Sequence, residues 1–367
     1  MKKSLPIICL IFLLYPIICF GQLSEKESLV INKFGDQLKK DVEIDNIKGS
    51  ISATVIKNNK IIWSNAYGYA NRDKKILADT NTIYRIGSIT KTFTATLLML
   101  LVEDKKINLD DLAEKYVPEV KDLQGYSNKT KFTIRQLASH TSGLKREPDM
   151  ARSNVGSIEQ WERKLLSCLP NTSFNSNPGE QYLYSNIGYA ILGLALERAA
   201  NVPYIQMVQQ RILTPLHMNQ TFFALTKDRK PHLAEGLDNT KGPVNTDLPL
   251  QEHEGRGYRV PNGSLYSTPN DLAKFVMSFM GVSPLLKKSS IQEMQTVPVG
   301  GKNYGLGLSI VPSRIVNVIG HNGSVPGYTS QFFIEKDSQY AVILIRNSNA
   351  GNTDLGKDSL MLLKELK

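Results

Sequence analysis

The stretch YRIGSITKTFTATLLMLL, residues 84–101, places Ser88 three residues before Lys91 at the mouth of an otherwise apolar helix. Residues three apart on a helix share a face, with Cβ atoms about 5–6 Å apart. A helix start is also where free N–H groups and the positive end of the dipole gather. Residues 93–102 are apolar nearly all round, which predicts a buried helix. Burial and the positive dipole end both disfavour an ammonium, so an amine there can accept a hydroxyl proton. Serine with such a base one turn away is a nucleophile pair for acyl transfer. The plainer alternative is a capping serine and a lysine snorkelling to the surface. Context decides between them. Ser142 and Lys145 repeat the spacing in HTSGLKREP, yet Gly143 and Pro148 forbid a settled helix there.

A serine–lysine pair needs a second proton carrier for the leaving group and donors for the substrate. Tyr184 and Asn186, in NPGEQYLYSNIGYAILG, fit those roles, because a Pro-Gly turn and a Tyr-Ser-Asn loop open into an apolar helix. Tyr69-Ala70-Asn71 and Tyr126-Ser127-Asn128 share the spacing but lead into no buried helix. Packing alone is the alternative for Tyr184. In IGHNGSVPGY, His321, Asn322 and Gly323 are predicted to end a strand. Gly323 permits close backbone approach, so the Ser324 N–H can pair with that of Ser88 as an oxyanion hole. A strand-end histidine satisfied by backbone is the alternative for His321. His253-Glu254-Gly255 has the same spacing in an acidic loop. No two of the five histidines stand at metal-ligand spacing, so neither a metal site nor a cofactor is implied.

In order, SITK, YSN and HNG resemble the three active-site motifs of the serine β-lactamase and penicillin-binding-protein superfamily. LASHTSGL, PGEQYLYSNIGYAILG, GSLYSTPNDLAKF and YGLGL look like segments of its class C β-lactamase-like branch, which includes D-alanyl-D-alanine carboxypeptidases, class C β-lactamases, esterases and D-aminopeptidases. The resemblance implies a β-lactamase/transpeptidase-like fold, with Ser88 acylated and Lys91 its base partner. It implies that Tyr184 shuttles the leaving-group proton, and that Asn186 contacts Lys91 and the substrate amide. His321 would hold the first position of the Lys/His-Thr-Gly motif beside the substrate carboxylate, with Asn322 and Gly323 following and Ser324 carrying the oxyanion amide. Class C β-lactamases usually have lysine at the place of His321 and alanine at that of Ser185. Histidine and serine there favour a peptidase or esterase. Asn322 replaces the usual threonine, which weakens the expected carboxylate recognition. No deacylating glutamate loop of the class A kind is seen, which leaves water activation to Tyr184 and Lys91.

The functional expectation is an exported serine hydrolase acting through an acyl-enzyme on a D-amino-acid peptide or ester. A class C-type β-lactamase is the first alternative, and a non-catalytic penicillin-binding sensor or envelope-polymer binder the second. The sensor would show a missing motif residue, and Ser88, Lys91, Tyr184 and Asn186 are all present. An α/β-hydrolase is excluded for want of a Gly-x-Ser-x-Gly elbow, and a P-loop because GSITKT lacks the second glycine.

Outside the motifs, Val30, Phe34, Leu38 and Val42 recur every fourth residue, which predicts an amphipathic helix, and two β-branched runs flank Asn58-Asn59 as a hairpin. SRIVNVIGHNG, GYTSQFFIEKD and QYAVILIRN read as three more strands, and TDLGKDSLMLLKELK as a closing helix. Strands at both ends around helical patterns predict an α+β fold. An antiparallel sheet would form from about 22–90 and 260–367, with a mainly helical lobe inserted at about 90–260 and a cleft between them. Residues 1–21, with Lys2 and Lys3 before an apolar run broken by Pro16, read as a signal peptide cut near Gly21–Gln22. Export to the periplasm or beyond follows as an expectation. No later run spans a bilayer. Cys9 and Cys19 leave with the signal, so Cys168 reads as a buried structural thiol without a disulfide partner. The net charge of +10, or +8 once Lys2 and Lys3 are removed, is scattered, so nucleic acid is not an expected partner. Oligomeric state is left open.

Overall fold

In the computed structural model Ser24 starts the first helix by accepting a hydrogen bond from the Glu27 amide, while the Glu27 carboxylate accepts from the Ser24 amide. The structure describes residues 23–281, 285–314, 316–336 and 339–367, so the expected signal peptide lies outside the described residues. Helix α1 (Glu25–Ile44) leads into strands β1 (Ser50–Lys57) and β2 (Lys60–Asn71). Asn58 and Asn59 join the strands with φ of 48° and 62°, the left-handed pair that a tight hairpin needs. The remaining strands are β3 (Ile76–Leu77), β4 (Tyr84–Arg85), β5 (Tyr266–Ser267), β6 (Ser309–Val311), β7 (Val318–Val325), β8 (Tyr328–Glu335) and β9 (Tyr340–Arg346).

Among the described residues one sheet has seven strands in the order β3-β2-β1-β9-β8-β7-β6, antiparallel throughout. Its centre is where the two ends of the chain meet: β1 pairs with β9 in the register Thr54↔Ile343. Ile51, Ala53 and Val55, with Val342 and Leu344, face a core closed by Ile31 and Leu38 of α1 and by Leu362 and Leu363 of the last helix, α11 (Leu355–Leu366). Ile56, Ile343 and Ile345 belong to the larger core on the other side. The sheet is thus covered on both faces, and β1 carries almost no exposed residue.

Between β4 and β5 the chain is mainly helical. It forms α2 (Thr90–Glu103), α3 (Ile134–Ala138), α4 (Trp161–Cys168), α5 (Asn186–Ala200), α6 (Tyr204–Val208), α7 (Asp247–Glu252) and α8 (Val260–Gly263). Helices α9 (Pro269–Met277) and α10 (Lys288–Met294) follow β5. The two-stranded clasp of β4 with β5, Tyr84↔Ser267 and Arg85↔Tyr266, ties the start of this insertion to its end. Helix α2 is buried on every side from Thr90 to Leu101 and packs on α5 and α8, as its apolar run predicts. Its threonines are satisfied within the core: Thr92 donates to Gly307 O at 2.8 Å and Thr94 to Pro261 O at 2.5 Å. The Phe93 ring stacks on Phe275 with centroids 3.7 Å apart, joining α2 to α9.

Two expectations need correction. Strand β7 does not end at His321-Asn322-Gly323 but runs on to Val325, turning only at Pro326-Gly327, where Gly327 has φ 77°. Ser88 lies in a 3-10 turn, Gly87–Ile89, that precedes the α-helix. Among the described residues no helix is long and apolar enough to cross a membrane.

Candidate active site

Two glycines bring the edge of the sheet against the Ser88 turn. Gly87 has φ +50°, and a Cβ there would stand 2.9 Å from Ser324 N; a Cβ on Gly323 would stand 2.0 Å from Ile86 O. Strand β7 therefore passes directly over the turn, with the Ser324 backbone beside Ser88. Ser330 of β8 fastens the same point by donating to Ile86 O at 2.9 Å. Gly323→Ala is expected to keep the sheet but push β7 off the turn. Losing one amide donor of this kind costs about 100- to 1000-fold in acylation rate, and a stopped-flow acylation assay with an activated ester reads it.

Lys91 is completely buried. Its Nζ lies 3.2 Å from Ser88 Oγ, 2.8 Å from Asn186 Oδ1 and 2.9 Å from Asn262 O. The last two partners are acceptors only, so they fix two N–H bonds of the amine. In the neutral form the remaining lone pair points at the Ser88 hydroxyl. Burial drives the Lys91 pKa well below the ordinary 10.5; Arg259, Arg146 and Arg256 push the same way, while Glu147 opposes them. The amine is dry, electropositively surrounded and held on the hydroxyl.

Burial raises the Tyr184 phenol pKa and outweighs the lowering effect of the neighbouring Ser88 hydroxyl, so it stands as a neutral O–H. Lys91 Nζ lies 4.8 Å and the Arg146 guanidinium 5.0 Å from the centroid of its ring. Ser185, between Tyr184 and Asn186, caps α5: its Oγ accepts from Gly188 N at 3.0 Å and donates to Lys145 O at 2.8 Å. Its backbone N–H donates to His140 Nδ1 at 3.0 Å, and the His140 ring lies against Tyr184 with centroids 4.2 Å apart. His140, in LASHTSGL, thus orders the whole Tyr-Ser-Asn loop. Asn186 is buried; its Oδ1 accepts from Lys91 and its Nδ2 donates to Glu147 Oε1 at 2.5 Å. Asn262 Nδ2 donates to Asn186 O at 2.9 Å.

His321 is 2% exposed and held at both nitrogens. Nδ1 lies 2.6 Å from Asn322 O, which accepts only, so Nδ1 carries the proton and Nε2 accepts from Tyr304 Oη at 2.9 Å. Burial brings its pKa down to about 3. His321 is therefore neutral and supplies no fixed charge to a substrate carboxylate, the place the resemblance gave it. What β7 exposes here is Asn322 and Ser324, with Gly323 buried between them.

The look-alike motifs fall elsewhere. Lys145 pairs with Asp149 instead of Ser142, Tyr126 Oη donates to Glu114, and His253 Nδ1 meets Tyr266 Oη at 2.7 Å in a buried cluster. Cys168 is buried, and burial pushes its thiol up to about 11. Among the described residues no three His, Cys, Asp or Glu side chains are grouped to hold a metal ion. Sequence reasoning missed Glu147, Asn262, His140 and Tyr304. Each is brought in by folding from a distant segment, and only LASHTSGL, for His140, and YGLGL, for Tyr304, carried any signal, as companion motifs.

A family model described as Beta-lactamase matches residues 41–365. Protein flp of Staphylococcus aureus (strain N315) is 27% identical over 332 residues, covering 87% of this chain and 64% of that protein, so the chain spans less than two thirds of that relative's length. Among solved structures, the octameric penicillin-binding protein homologue from Pyrococcus abyssi has a TM-score of 0.76 at 26% identity, covering 92% of this chain and 77% of that one. A protein from Yersinia pestis described as a beta-lactamase/D-alanine carboxypeptidase has a TM-score of 0.74 at 23% identity, covering 92% and 99%, and shares the fold.

Proposed function

The chain belongs to the Beta-lactamase family, and on that premise we propose that it is a serine hydrolase that forms an acyl-enzyme on Ser88 and cleaves an ester or amide bond of the D-alanyl-D-alanine carboxypeptidase or esterase type. The observation that carries this is the buried Lys91 amine, 3.2 Å from Ser88 Oγ, with two of its N–H bonds spent on pure acceptors. Ser88 Oγ attacks the substrate carbonyl carbon as its proton passes to the Lys91 lone pair. The oxyanion is held by the backbone N–H groups of Ser88 and Ser324. Tyr184 donates its proton to the departing alcohol or amine and is reprotonated from Lys91. Water then attacks the acyl-enzyme by the reverse relay, returning the proton to Ser88. Asn186 has one Nδ2 hydrogen left for the acyl amide, and Asn322 lines the opposite strand.

Neutral His321 favours substrates that do not depend on a buried cation for binding, which ranks uncharged esters and amides ahead of β-lactams and of peptides ending in a carboxylate. Comparison of a p-nitrophenyl ester, a D-alanyl-D-alanine peptide and nitrocefin with one preparation tests this. The ester is expected to give the highest kcat/KM, and fastest loss of nitrocefin would shift the reading to a class C-type β-lactamase. We place the enzyme outside the cytoplasm, on the N-terminal pattern of residues 1–21. N-terminal sequencing of the native protein is expected to begin at Gln22, and a chain retaining Met1 contradicts it.

A further inference from the structure

We propose that Glu147 is a positioning residue for the reaction at Ser88: its carboxylate holds the Asn186 amide in the one orientation that turns the carbonyl oxygen onto Lys91. The inference rests on the reading of Lys91 as the base. A carboxamide has two ends of nearly equal shape, and the flipped form would face the Nδ2 donors of Asn186 toward Lys91 Nζ. That would lose the acceptor at 2.8 Å and free the amine to turn its lone pair away from Ser88. A carboxylate only accepts, so Glu147 Oε1, 2.5 Å from Asn186 Nδ2, forbids the flip.

The clamp is itself held. Oε2 accepts from Tyr258 Oη and from Arg259 Nη2, the latter at 2.9 Å. Tyr258 is completely buried. The backbone of the same loop is tied to α5, with Asn186 N donating to Arg146 O at 2.9 Å. Burial pushes the Glu147 carboxyl up, but the charge of Arg259 and hydrogen bonds from Tyr258 and Asn186 outweigh it, so it stays ionised. The charged groups acting on Lys91 are then Glu147 against Arg259, Arg146 and Arg256. The rings nearest its Nζ, Tyr184 and Tyr189 at 4.8 and 5.6 Å, are neutral phenols. His140 and His321 are neutral as well. Glu147 is the anion in this set, so it both aims the amine and raises its proton affinity.

Two variants separate these effects in pre-steady-state acylation by a p-nitrophenyl ester followed across pH. Glu147→Leu removes the clamp, and the plateau rate is expected to fall about 100-fold, as a small misplacement of catalytic groups does. Glu147→Gln keeps an acceptor for Asn186 but removes the charge. Its acid limb moves to lower pH, and on that limb it acylates roughly 3- to 10-fold faster relative to its own plateau than the parent does. A purely structural role would not move that limb. If Glu147→Leu fails to fold, the limb of Glu147→Gln decides. Parental rate and limb in both variants overturn the proposal; if Lys91→Met also acylates normally, the underlying reading of the base falls with it.

Discussion

Ser88→Ala is expected to abolish turnover of an activated ester and the label that a fluorophosphonate leaves on the parent protein, with kcat/KM down by roughly 10⁴-fold or more. The half-buried hydroxyl is the point on which Lys91, Tyr184 and the Ser324 backbone converge, and no neighbouring group can substitute for it. Ser142 is buried, and its would-be lysine partner is committed to Asp149. The alanine variant loses only an oxygen from a turn whose backbone is set by Gly87, so its thermal unfolding midpoint should stay near that of the parent. Peptide mass spectrometry of the labelled protein places the adduct. A label on any other serine, or ester turnover surviving in the variant, refutes the assignment.

Lys91→Met should be nearly as damaging to chemistry and should act in the opposite direction on stability. Methionine fills a similar volume without the lone pair, so acylation is expected to fall by roughly 10³-fold or more, at the upper end for losing a general base. The parent carries the cost of burying an amine whose folded pKa lies well below 10.5. Between those two values the unfolded chain binds more protons than the folded one, so the parent gains stability as pH rises. The methionine variant escapes that cost. It should unfold at a higher temperature than the parent at neutral pH, by a margin that is full below the folded pKa of Lys91 and fades as pH approaches 10.5. Calorimetric scans across pH measure this, and a variant that is less stable and still acylates at the parental rate removes the amine from the mechanism.

The parts of this molecule that were legible in its sequence are those where chemistry is local. The amphipathic spacing of α1, the Asn58-Asn59 hairpin and the all-round apolar face of α2 each follow from residues within a few positions of one another. The Ser88–Lys91 pair was readable because one helical turn delivers it, whether that turn is 3-10 or α. Glu147 and Asn262 were not readable, since each meets Asn186 and Lys91 only after the inserted helices have packed. The end of β7 was misplaced for a related reason. Strand β7 runs on to Val325, while the close approach read at Gly323 is present: its missing side chain lets the strand pass Ile86 at a distance no other residue allows. His321 kept its predicted strand, but its charge was not readable, because the burial and the Tyr304 hydroxyl that fix it as a neutral ring arise only in the fold.

The central claim is that Lys91 reaches Ser88 as a free amine at neutral pH, and the pH dependence of the single-turnover acylation rate tests it most directly. The rate is expected to be level from neutral to mildly alkaline pH, with its lower limb falling well below the 10.5 of an ordinary lysine. A rate that instead climbs tenfold with each pH unit through neutrality and levels only near 10 would show a protonated, water-exposed ammonium, and would contradict the account.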